Sequence, residues 1–64
     1  MIIIECDKSS TQEELGKWVP ESAVIEYFIA TNYDEAINYG GDTVKENLQD
    51  KGVDFNQKNL IIIK

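Results

Sequence analysis

Leu60-Ile61-Ile62-Ile63 is the most telling stretch of this chain, because it has a counterpart at the other end in Ile2-Ile3-Ile4. Continuous β-branched runs this short leave no polar face for water, so they read as strands buried on both sides or central in a sheet. A third strand falls between them at Ala23–Thr31, where Val24, Ile25, Tyr27, Phe28 and Ile29 crowd strand formers together. The stretch also reads as a helix following Pro20, but that crowding favours the strand.

Helices separate the three strands. The first opens in Ser9-Ser10-Thr11, with Ser10 and Glu13, and Thr11 and Glu14, at capping-box spacing. It should reach only Lys17 or Trp18, since Gly16 weakens it and Pro20 ends it. The second opens at Asn32, capped reciprocally by Glu35. Tyr33, Ala36, Ile37, Gly40, Val44 and Leu48 then follow on one face, and Gly52 is placed to stop it. Gly40-Gly41 reads as a kink within one helix; a full break, with Thr43 as a new N-cap and Tyr39 packed inward beside Gly40, is the rival.

The order β-α-β-α-β makes this an α/β chain, with residues 1–64 as one domain. It predicts a three-stranded sheet with one long, kinked helix and one short helix packed on it. Helical crossovers usually join parallel strands, so parallel pairing with both helices on one face is the expectation. Antiparallel pairing of the first two strands is the alternative if the first helix is only a turn or two.

Composition narrows the function. The 64 residues hold twelve Asp and Glu, six Lys, no Arg and no His, for a formal charge of -6. Histidine is the usual base and metal ligand near neutral pH, and arginine the usual reader of phosphate and guanine. Their absence argues against catalysis, against a metal or other cofactor, and against direct nucleic-acid binding. Cys6-Asp7-Lys8-Ser9-Ser10-Thr11 follows a strand and precedes a helix, where α/β folds bind ligands. It has neither glycine nor arginine to hold an anion, so Cys6 reads as a small, dispensable strand residue. Trp18 reads as a core anchor, with an exposed binding anchor as the alternative.

Cys6 is the lone cysteine, no basic-flanked apolar leader opens the chain, and no apolar run approaches the ~20 residues of a membrane span. The expectation is the cytoplasm of a bacterium or of a phage-infected bacterial host. Nine isoleucines, five asparagines and all-lysine cations are what AT-rich codons supply.

At about 100° per residue, Glu35, Asp42, Glu46 and Asp50 cluster opposite the apolar stripe of the second helix, and Tyr39 falls among them. An acidic ridge around a tyrosine suits a basic protein surface, so these five are the candidate partner-binding residues. The reading is a small acidic regulator or inhibitor, phage-encoded, that covers a basic surface of a host protein. One alternative is a nucleic-acid mimic that inhibits a DNA-binding protein. Another is an accessory subunit or a module that homodimerises through a sheet edge.

Overall fold

The computed structural model describes residues 1–19 and 25–64. The strands are β1 (Ile2–Asp7), β2 (Tyr27–Ala30) and β3 (Lys58–Ile63); the helices are α1 (Thr11–Trp18), entered through a 3-10 turn at Lys8–Ser10, and α2 (Tyr33–Lys51). The order β-α-β-α-β and the α/β class are as the sequence implies. β1 and β3 outrun their isoleucines because they pair along their whole lengths, Ile2 opposite Ile63 through Asp7 opposite Lys58. Of the expected middle strand, Ala23 and Val24 lie outside the described residues, as does the helix-ending role of Pro20. Among the described residues, no helix is long and apolar enough to cross a membrane.

The sheet runs β1-β3-β2, with both pairings antiparallel. This corrects the expectation of parallel neighbours. β1 and β2 do point the same way, as a crossover requires, but β3 lies between them. β3 takes the centre because its last four residues, Leu60 to Ile63, are all buried, whereas β1 turns polar at Glu5 and Asp7.

The two helices also lie on opposite faces rather than one. Leu15 and Val19 join Ile4, Cys6, Ile25, Ile29, Ile61 and Ile63 on one side. Ala36, Tyr39, Val44 and Leu48 join Ile3, Phe28, Ala30, Leu60 and Ile62 on the other. The continuous apolar run of β3 serves both layers by alternation: even residues face α2 and odd residues face α1. Cys6 is buried in the α1 layer, its thiol directed at Thr11 Oγ1 (3.6 Å).

α2 must begin and end at the same edge of the sheet, because Ala30 at the end of β2 pairs with Leu60 near the start of β3. A straight helix of 19 residues would carry the chain about 28 Å away, a distance that residues 31–32 and 52–57 could recover only by running nearly fully extended, whereas Asp54 to Lys58 form a turn. The solution is Gly41, whose φ of 68° and ψ of -149° break the helical path. At its end the helix stops as expected, with Gly52 at φ 66° donating its N–H to Leu48 O (2.9 Å).

One of the two expected N-terminal caps forms. Asn32 Oδ1 accepts from Glu35 N–H (2.8 Å), and Glu35 Oε1 accepts from Asn32 Nδ2 (3.1 Å) and Thr31 N–H (3.3 Å). Asn32→Ala should therefore cost about 1–2 kcal/mol, read as a lower thermal midpoint; an unchanged midpoint would mean that the cap carries no stability. The boxes expected at Ser10 and Thr11 do not form. The 3-10 turn already brings the chain in helically, so Thr11 instead donates to Asp7 O (2.8 Å). Glu14 turns to Trp18 Nε1–H (3.1 Å) and Lys17 (3.4 Å), which hold its carboxyl below the usual range.

Candidate functional site

The candidate face of α2 divides at Gly41. Asp42, Glu46 and Asp50 are all exposed on the helical segment that follows it. Steps of four place them within about 40° of their neighbours around the axis, so they form one line of carboxylates. Lys45 and Lys51 are exposed on the same segment.

Glu35 stands apart from this line. Its carboxylate is committed to Thr31 and Asn32 at the helix start, where it also favours the positive end of the helix dipole. It is a capping residue by geometry.

Tyr39 does not join the acids either, which corrects the outward placement expected from a uniform helix. From Tyr39 to Leu48 is nine residues, about 900° or half a turn out of phase, so an unbroken helix could not bury both. The break at Gly41 removes that constraint, and both pack on the sheet. The Tyr39 ring stacks on Phe28 with centroids 4.9 Å apart, and Lys64 Nζ lies 4.4 Å from its centroid on a cation–π path. Its hydroxyl is buried with no hydrogen-bond partner of good geometry among the described residues. Burial, with the Glu26 carboxylate adding to it, pushes the phenol above its ordinary value.

Trp18 is the opposite case. Expected in the core, it is 45% exposed. Thr11 and Leu15 take the buried positions of α1, and Val19, four residues beyond Leu15, completes that stripe where Trp18 would have done. Tyr33, expected on the apolar stripe of α2, is likewise exposed at the helix start.

Glu5 and Asp7 escaped the sequence reading of the site, although the signal was present. In β1 the unbroken isoleucines give way to Glu5-Cys6-Asp7, and alternation marks a strand that turns one side to water. Both acids are exposed on an outer strand of the sheet; Asp7 Oδ1 accepts from Lys58 Nζ (3.1 Å), which raises the lysine's pKa. Among the described residues, no group of three Cys, Asp or Glu side chains is arranged to hold a metal ion. Comparison with known proteins finds no match to this chain, whether to a family model, a curated sequence or a solved structure.

Proposed function

We propose that this protein is a small, non-enzymatic regulator or inhibitor that docks on a basic surface of a protein partner, the partner belonging to the host if the chain is phage-encoded. The observation that supports the reading is the line of exposed carboxylates Asp42, Glu46 and Asp50 on one helical segment. With a formal charge of -6 behind it, that line favours encounter with a positive surface and repels nucleic acid. Tyr39 is replaced in this reading by the carboxylates alone, so the contact is electrostatic and wet rather than anchored by an aromatic side chain.

The test is capture from a bacterial lysate on the immobilised protein, run beside the triple variant Asp42→Lys, Glu46→Lys, Asp50→Lys. A partner held by this face is retained by the native protein, lost by the variant, and released as salt rises from about 0.05 to 0.5 M, where screening shortens to a few ångströms. The substitutions lie on the surface and should each change stability by no more than about 0.5 kcal/mol. Circular dichroism therefore confirms that the variant is folded. The same proteins captured by both, or capture indifferent to salt, would remove α2 as the binding face.

A further inference from the structure

The two outer strands of the sheet are not equivalent. β2 has four residues, but β1 has six in unbroken register with β3, without a bulge, a proline or a lysine. Those are among the devices by which outer strands avoid pairing with other chains; β1 has only the charges of Glu5 and Asp7, which disfavour any but a basic partner strand.

The hydrogen bonding fixes which groups of β1 are open. Lys8 N–H donates to Gln57 O (3.1 Å), continuing the register of the strand pair. Antiparallel ladders alternate, so the even residues of β1 bond to β3 while Ile3, Glu5 and Asp7 turn their backbone groups outward. The Asp7 carbonyl is taken by the Thr11 hydroxyl (2.8 Å). Among the described residues, that leaves Ile3, Glu5 and the Asp7 N–H as a free template.

Side chains along this edge differ by face. On the α2 side it shows half-buried Ile3, then exposed Glu5 and Asp7; on the α1 side, exposed Ile2, half-buried Ile4 and buried Cys6. β3 already displays what such a strand accepts on its inner side, with Lys58 opposite Asp7 and isoleucines opposite isoleucines.

We propose that the β1 edge binds an extended segment of a partner protein by antiparallel strand addition. The segment carries a basic residue opposite Glu5, a second opposite Asp7, and apolar residues opposite Ile2, Ile3 and Ile4. A second copy of this chain fits less well. Pairing about Glu5 sets two carboxylates face to face, pairing about Ile4 sets each Glu5 against the other copy's Ile3, and pairing about Ile3 matches the isoleucines but leaves Glu5 and Asp7 without a basic residue opposite. All three bring together two chains of charge -6. This surface stands independently of the carboxylates on α2.

The probe is a blocked, fluorescently labelled peptide, Lys-Thr-Lys-Val-Ile-Val, which in antiparallel register runs opposite Asp7 through Ile2. Fluorescence anisotropy should show saturable 1:1 binding to the monomer, with a Kd of about 0.1 mM or below. N-methylation of its second lysine and its isoleucine, the residues opposite Glu5 and Ile3, should abolish binding. Methylation of its threonine and first valine, whose N–H groups turn away, should leave binding intact. Glu5→Lys should weaken binding about tenfold without unfolding the protein, and the triple α2 variant should bind as the native protein does. A failure of the α2 reading would thus leave this result standing, and the reverse. The proposal is overturned by absent binding, by equal binding of the two methylated peptides, or by a protein that sediments as a dimer and excludes the peptide.

Discussion

Gly40→Ala lowers the thermal midpoint by roughly 10–20 °C, on the basis of about 2–3 kcal/mol of overpacking and some 4–8 °C per kcal/mol in a domain of this size. A Cβ at Gly40 would overlap a methyl of Val44 and come within 2.7 Å of the Val44 Cβ. Val44 is fully buried against the sheet and has no room to withdraw. The crowding follows from the bend: Gly41 swings the second half of α2 so that Val44 lies over the end of the first. Gly41→Ala should destabilise by about 1–3 kcal/mol for a different reason, since its φ of 68° and ψ of -149° lie in a region essentially reserved for glycine. Gly16→Ala is the control. Among the described residues, nothing lies within 4 Å of the added methyl, and a helical glycine replaced by alanine should gain roughly 0.5–1 kcal/mol. Calorimetry of the three variants gives the order. A Gly40→Ala protein that melts with the native one would show that α2 does not bend in this way.

Tyr39→Ala lowers the midpoint by roughly 10 °C or more, because it removes a ring stacked on Phe28 and leaves a cavity beneath the first half of α2. Tyr39→Phe keeps the stack and discards a buried hydroxyl that has no well-placed partner among the described residues, so its midpoint should stay within a few degrees of native. The pair of variants separates packing from polarity, which a single alanine could not. Alkaline titration adds a second readout. Burial and Glu26 raise the phenol's pKa in the folded state, so the native protein keeps that proton longer than the unfolded chain does. The resulting stability is present below the ordinary tyrosine value and is lost as pH rises through the folded one. Tyr39→Phe should flatten that part of the profile. A Tyr39→Ala protein with native stability would return the ring to the surface, beside Asp42, Glu46 and Asp50.

The line of carboxylates on α2 is legible in the sequence because it depends on spacing within ten residues of helix. Asp42, Glu46 and Asp50 are four apart, and nothing between them interrupts the helical progression. Glu35 and Tyr39 could not be placed by the same arithmetic. The assumption of about 100° per residue fails at one pair of dihedrals, and every residue beyond Gly41 is rotated relative to those before it. The Asn32–Glu35 spacing carried two readings, an acidic surface and a cap, and the hydrogen bonds chose the cap.

Local patterns in the chain specify the elements: three strands from their apolar runs, two helices, the cap at Asn32 and the stop at Gly52. Each rests on interactions within a few residues, which the local pattern records. That β3 is central, that both its neighbours are antiparallel, that α1 and α2 cover opposite faces, and that Tyr39 turns inward are outcomes of long-range packing. These choices join residues far apart in the chain, such as Ile3 with Ile62 and Phe28 with Tyr39. They are settled by which arrangement buries both faces of Leu60–Ile63 at once, a balance of burial that no short stretch of sequence contains.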